Sequence, residues 1–176
     1  MILVGLSSRT NNQSIKCLQE IFPHYPVISV DLKTLMDLAA VEYNRSTYNR
    51  SSNSTHHQME EVLHLKSFCS ACGNGKIVVG GLIGQVFKQW LLSNKMNHIV
   101  GNIFKEDDDI IYLPDAAAAN CIYANETIIR RSYEEYPDSV NVFLTHPYLK
   151  FIPQLEVRSD ELAKVDGALT CCSVLF

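Results

Sequence analysis

The chain has 176 residues, 47% of them apolar, which suffices for the core of one domain and excludes a disordered tail or a peptide-sized disulfide scaffold. Fifteen Lys and Arg against nineteen Asp and Glu leave a formal charge of -4, so no overall basic field draws the protein to nucleic acid. Six cysteines are too few to staple a chain of this length, and Met1-Ile2-Leu3-Val4-Gly5-Leu6 lacks the basic flank and the length of a signal segment. The cysteines therefore read as reduced and the compartment as cytoplasmic. No apolar run reaches the roughly 20 residues that span a bilayer, and no repeat of solenoid length is present.

In chain order, Ile2-Leu3-Val4 reads as a short buried strand that ends in Gly5-Leu6-Ser7-Ser8, and Ile15, Leu18, Ile21 and Phe22 follow at helical spacing. Pro23 and Pro26 stop that helix, and Val27-Ile28-Ser29-Val30 reads as a second strand ending at Asp31. Leu32, Leu35, Met36, Leu38, Ala39 and Ala40 then form an apolar helical stripe. Such a β-α-β-α opening predicts a parallel sheet covered by helices. From Glu42 to His57 the composition turns to Asn, Ser, Thr, Arg and Tyr, with Tyr43-Asn44-Arg45-Ser46 echoed by Tyr48-Asn49-Arg50-Ser51, which predicts a long polar loop.

Further on, the pattern predicts a helix from Met59 to Phe68, a short apolar piece at Ile77 to Val79, and a helix from Ile83 to Leu92 with Val86, Phe87, Trp90 and Leu91 on one face. Ile110 to Leu113 reads as a buried strand stopped by Pro114-Asp115. Ala116 to Tyr123 and Glu126 to Glu135 read as helices, the second charged and on the surface, and Val140 to Leu144 as a strand. A short helix from Ser159 to Lys164, with Ser159 as N-cap, precedes a last strand from Ala168 to Phe176. The expected architecture is a single α/β domain over residues 1–176, a three-layer sandwich around a mostly parallel sheet, with a polar loop at 42–57.

The opening through Ile15-Lys16 and Pro26 to Asp31 resembles small P-loop kinases of the dephospho-CoA kinase and deoxynucleoside monophosphate kinase type. The strand ending in Asp115, the strand Val140 to Leu144 and the tail Val157 to Leu162 with Val165 to Leu169 are similar to phage deoxynucleotide kinases and animal phosphomevalonate kinases. The resemblance implies a phosphate loop at Gly5, Ser7, Ser8 and Arg9, an acceptor-positioning acid at Asp31, a magnesium-holding acid at Asp115 and a lid pair at Arg130 and Arg131. It also implies ATP and magnesium as cofactors wherever activity survives. The loop departs from the family pattern: Thr10-Asn11-Asn12 stand where Gly-Lys-Ser/Thr should be, so the Lys that reaches the phosphates is missing. Asp115 leads into Ala116-Ala117-Ala118-Ala119 where the family places an Arg.

The residues themselves leave plainer readings open. Asp31 and Asp115 each precede a predicted helix and suit its N-cap. Arg130 and Arg131 suit a solvated helix face, pairing with Glu134 and Glu135. Cys69-Ser70-Ala71-Cys72-Gly73 has the spacing of a zinc knuckle, yet it supplies two ligands of four, so Cys69 and Cys72 are weak zinc candidates and no metal is expected. Cys171 and Cys172, or His56 and His57, are what would complete it. His146 has no Ser or Cys elbow beside it in sequence, and no catalytic residue set is assigned. The expected function is a non-catalytic nucleotide-kinase-like protein that binds a nucleotide or a protein partner. The alternatives are a divergent active kinase using Arg9, Lys16 or Arg131 as surrogate cations, and a viral structural or assembly protein in the host cytoplasm.

Overall fold

The computed structural model describes residues 1–48, 62–93, 104, 107–165 and 167–173. The chain divides into two compact units, Met1–Leu65 and Lys66–Phe176. In the first unit, β1 (Ile2–Leu6) and β2 (Val27–Asp31) pair in parallel, Ile2 facing Val27 and Leu6 facing Asp31. The crossover is α1 (Asn12–Ile21), and α2 (Leu32–Tyr48) follows β2 directly. Val30, Leu32, Leu35 and Ala39 are buried, as the apolar stripe of α2 predicts, whereas α1 buries none of its residues. Glu42 to Tyr48, read as the start of a polar loop, continue α2, and 49–57 lie outside the described residues.

The second unit contains the same motif twice. β3 (Cys69–Gly73) and β4 (Lys76–Gly80) form an antiparallel hairpin; α3 (Gly81–Leu92) crosses over, and β5 (Ile110–Leu113) pairs in parallel with β4. β6 (Ile122–Ala124) and β7 (Thr127–Arg131) make the next hairpin, α4 (Pro137–Thr145) crosses over, and β8 (Gln154–Val157) pairs in parallel with β7. β1, α1 and β2 repeat the last three members of this β-β-α-β motif. A short α5 (Asp160–Ala163) and a 3-10 turn at Leu169–Cys172 close the described chain. One cluster, with Cys72, Val78, Ile111, Leu113, Ile128 and Phe143, joins the two motifs of the second unit.

The α/β composition stands, but the three-layer sandwich around a mostly parallel sheet does not. The described strands form three small sheets of two, three and three strands, and each three-stranded sheet mixes one antiparallel with one parallel pairing. Several elements differ from the sequence reading for local reasons. Glu126 to Glu135 is not a surface helix: Asn125 and Glu126 at φ 48 and 58 reverse the chain, and the β-branched run Thr127-Ile128-Ile129 continues as β7. Val140 to Leu144 is helical because Pro137 at the first turn presets its dihedral and Ser139, Val140 and Phe143 share the buried face. Ala116 to Tyr123 is a 3-10 turn at Ala117–Ala119 followed by β6. Within the helix expected from Met59 to Phe68, Leu65–Ser67 is a 3-10 turn and 59–61 lie outside the described residues; within the strand expected from Ala168 to Phe176, Leu169–Cys172 is a 3-10 turn and 174–176 lie outside them. Among the described residues no helix is long and apolar enough to cross a membrane.

Candidate functional site

The expected phosphate loop is a tight turn. Backbone hydrogen bonds from Ser7 N–H to the Thr10 carbonyl (3.1 Å) and from Thr10 N–H to the Ser7 carbonyl (3.3 Å) engage amides that a phosphate cradle leaves open. The Ser7 hydroxyl donates to the Leu63 carbonyl at 2.8 Å and accepts the Arg9 N–H at 3.1 Å. Gly5 lies inside β1, where an added Cβ would sit 3.0 Å from Leu32 Cδ1 and 3.1 Å from Leu65 Cβ; packing, not phosphate approach, requires the glycine. Asn11 caps α1 through the Gln13 and Ser14 amides.

Asp31 caps α2, accepting the Lys33 N–H at 3.0 Å and the Thr34 N–H at 3.3 Å, with the Thr34 hydroxyl on its other oxygen. The Thr34 bonds are the main cause that lowers its pKa. A cavity of about 730 Å3 opens beside this cap, with Ser7, Ser8, Asp31 and Lys33 at its polar wall and Leu6 and Met36 at its apolar one. A smaller cavity of about 230 Å3 is lined by Ser8, Arg9, Thr10, Asn11 and Ser14. The fold thus brings Ser7, Ser8, Arg9 and Asp31 together at the carboxyl ends of β1 and β2, where parallel strands place ligands.

The second unit holds the other sequence candidates in structural roles. The Ser139 hydroxyl donates to the Asp115 carboxylate at 2.8 Å and accepts the Asp115 N–H at 3.0 Å, which fixes the end of β5 on α4. Gly80 and Gly81 let the Asp115-Ala116 corner approach: an added Cβ on Gly80 would fall on the Asp115 carbonyl oxygen, and Gly81 at φ +66 faces Ala116. Arg130, 6% exposed, donates to Gln154 Oε1 at 2.7 Å and Glu156 Oε2 at 2.9 Å. Arg131, 3% exposed, is paired with Glu135 and lies 5.1 Å from the Tyr136 ring centre. They are neither a lid pair nor a solvated helix face: both are buried in β7 with their guanidinium groups engaged across the motif.

Cys69 and Cys72 are core residues of β3 rather than a knuckle. Burial is the first cause that raises their thiol pKa values, to about 12 for Cys69, and Cys121 at their side adds to it, so neither readily becomes a metal-binding thiolate. Among the described residues no three His, Cys, Asp or Glu side chains gather as metal ligands; His56 and His57 lie outside them. His146 ends α4 and accepts the Tyr148 N–H on Nδ1 at 3.2 Å, and burial lowers its pKa.

The C-terminal turn presents a different pair of thiols. Cys171 and Cys172 are exposed, and the Cys171 N–H is bonded to the Ala168 carbonyl at 3.0 Å. Leu169, 7% exposed, anchors the turn in the core. Asn120, 3% exposed, donates its amide to the Thr170 hydroxyl and to the Lys66 carbonyl, each at 2.8 Å, and accepts the Thr170 N–H at 3.0 Å. Sequence reasoning weighed the two cysteines only as zinc ligands and passed over Asn120. Its signal was faint: an amide inside the apolar stretch Ala116 to Tyr123, a position that must satisfy its polar atoms if buried.

No protein-family model matches the chain. Among solved structures, dimethylarginine dimethylaminohydrolase from Pseudomonas aeruginosa, a cysteine-to-serine mutant complexed with citrulline, matches at a TM-score of 0.59 and 19% identity, covering 100% of this chain and 53% of its own. The fold of the chain resembles about half of dimethylarginine dimethylaminohydrolase. Two further dimethylarginine dimethylaminohydrolase structures agree. A histidine-to-glycine variant in an adduct with S-methyl-L-thiocitrulline has a TM-score of 0.58 and 19% identity, covering 99% of this chain and 51% of its own. An adduct with 4-chloro-2-hydroxymethylpyridine has a TM-score of 0.55 and 20% identity, covering 99% and 52%. The chain therefore spans about half the length of these dimethylaminohydrolases. These neighbours are enzymes, and they overturn the kinase resemblance. With it fall the non-catalytic nucleotide-kinase-like function, the active-kinase and viral-assembly alternatives, and ATP and magnesium as cofactors of a kinase.

Proposed function

We propose that the chain carries the thiol half of a dimethylaminohydrolase-type enzyme acting on the guanidinium group of a methylated arginine. The observation that carries this reading is the exposed Cys171 on a turn held by a buried amide, in a fold whose solved examples include a cysteine-to-serine mutant with citrulline bound. Of the two exposed tail thiols, Cys171 is the one assigned as nucleophile, because its own N–H and the N–H and hydroxyl of the preceding Thr170 are bonded.

In this reading the Cys171 thiolate adds to the guanidinium carbon and forms a C–S bond. The C–N bond to dimethylamine breaks as a histidine delivers a proton to the leaving nitrogen. Water then attacks the same carbon, the C–S bond breaks, and citrulline and the free thiol result. One water is consumed for each dimethylamine released. Ser7, Ser8, Arg9 and Asp31 are kept as proposed small-ligand contacts of the first unit because they line its two cavities. A cytoplasmic setting is supported by six cysteines that are all free thiols.

The test is citrulline release from N,N-dimethylarginine by the full chain, compared with Cys171→Ala and Cys172→Ala. Release by the parent and by Cys172→Ala, lost in Cys171→Ala, supports the reading. An inactive parent, or an active Cys171→Ala, overturns it. His146→Gly in the same assay tests this histidine of the second unit as the proton donor, and unchanged release removes it from that role.

A further inference from the structure

We infer that Asn120 is a positioning residue for the Cys171 thiol, an inference that rests on the function proposed above. Its carboxamide sits where three segments of the second unit meet: the Lys66 turn that leads into β3, the residue ahead of β6, and the C-terminal turn. The chemistry of the partners fixes its orientation. The Lys66 carbonyl only accepts and the Thr170 N–H only donates, so Nδ2 faces the first and Oδ1 the second. Both amide protons are used, one on Lys66 and one on the Thr170 hydroxyl, and the oxygen is used as well.

The neighbouring bond from Cys121 N–H to the Ser70 hydroxyl at 3.3 Å extends the same seam between β3 and β6. Asn120 therefore holds the N–H and the hydroxyl of the residue immediately before Cys171, on a turn that is otherwise anchored by Leu169. An isosteric Asp could not donate to the Lys66 carbonyl, and a Leu would strand that carbonyl and the Thr170 groups. A buried amide with every polar atom engaged locks one conformation of what it binds, and here it locks the backbone that aims a thiol.

The experiment combines hydrolysis kinetics with competitive alkylation of the two adjacent thiols by iodoacetamide, read by peptide mass spectrometry. In the parent, Cys171 and Cys172 are expected to react at unequal rates, and equal rates there overturn the inference. Asn120→Ala is expected to bring their ratio toward one and to lower kcat about 100-fold, the order of loss produced by a misplaced reacting group. KM should change far less. Thr170→Val, which keeps the backbone bond and removes only the hydroxyl, serves if Asn120→Ala does not fold, and is expected to move both readouts in the same direction by a smaller factor. An unchanged alkylation ratio together with a kcat within twofold of the parent overturns the inference, and so does a loss that falls on KM alone. If the parent hydrolyses nothing, the proposed function fails by itself. The alkylation ratio still decides whether Asn120 holds the thiol, an unchanged ratio refuting it.

Discussion

Glu135 is a carboxylate that ties together three residues of the second unit. Its side chain is 8% exposed and receives the Arg131 guanidinium, the Ser132 N–H at 3.1 Å, the Ser132 hydroxyl at 2.8 Å and the Ser159 N–H at 3.2 Å. Burial by itself would raise its pKa; the bonds from Arg131, Ser132 and Ser159 outweigh burial and hold the value at about 2, against an ordinary 4.5. At about 1.4 kcal/mol per pKa unit, the ionised form stabilises the fold by roughly 3 kcal/mol at neutral pH. Because the folded pKa is the lower one, that stability is complete above the ordinary value of 4.5 and drains away as pH falls toward about 2.

Glu135→Gln removes the charge at nearly constant shape and leaves Arg131 buried without its carboxylate, a one-sided break that costs about 3–5 kcal/mol. Urea unfolding followed by the fluorescence of Trp90, the single tryptophan, which stacks on Phe87 in α3, reads this unit directly. The variant should lose roughly 3 kcal/mol or more at pH 7, and its deficit against the parent should shrink by about half at pH 3. A deficit below about 1 kcal/mol at pH 7 would refute the reasoning. So would a deficit that stays constant between pH 7 and pH 3.

Thiol labelling of the native chain should modify Cys17, Cys171 and Cys172 rapidly, while Cys69, Cys72 and Cys121 react only after unfolding, because burial both shields them and raises their pKa values. Mass spectrometry after a short pulse counts them, and fast labelling of any core thiol would contradict the placement of β3. Gly80→Ala should cost about 3 kcal/mol or more by the same urea assay, because its Cβ meets the backbone of Asp115 and Ala116. Gly75→Ala has open space and only its φ of +74 to accommodate, which costs about 1 kcal/mol. Equal losses at the two glycines would show that close approach is not what Gly80 supplies.

The opening of the chain was legible because its signals are local and unambiguous. Ile2 to Leu6, the break at Pro23 and Pro26, Val27 to Asp31 and the stripe from Leu32 to Ala40 each match one period over enough residues, and β1, α1, β2 and α2 form there. The same holds for α3 and β5. Short runs were not legible. Val140 to Leu144 fits both an alternating and a helical pattern, and Glu126 to Glu135 hides a strand because its buried charges resemble a solvated face. Arg130 and Arg131 have carboxylate partners on β8 and at Glu135 that no local window reveals. The kinase resemblance failed for a related reason: a strand, a loop and a helix in order are common to many α/β folds, and only the pairing of strands distinguishes them.

The site followed the same division. The Asp31 cap was legible because Asp carries its own preference for a helix start, whereas Asn11, read as part of a phosphate loop, caps α1. Asn120 carried no such signal, since its partners Lys66 and Thr170 lie 54 and 50 residues away. By itself the sequence determined composition class, several elements and the Asp31 cap, because propensity and periodicity act over a few neighbouring residues. Tertiary structure alone decided the repeated β-β-α-β pairing, the burial of Arg130, Arg131 and the Cys69, Cys72 and Cys121 thiols, and the bonds from Asn120 to Lys66 and Thr170. Each depends on contacts between distant segments, and these stabilise only after the chain has closed.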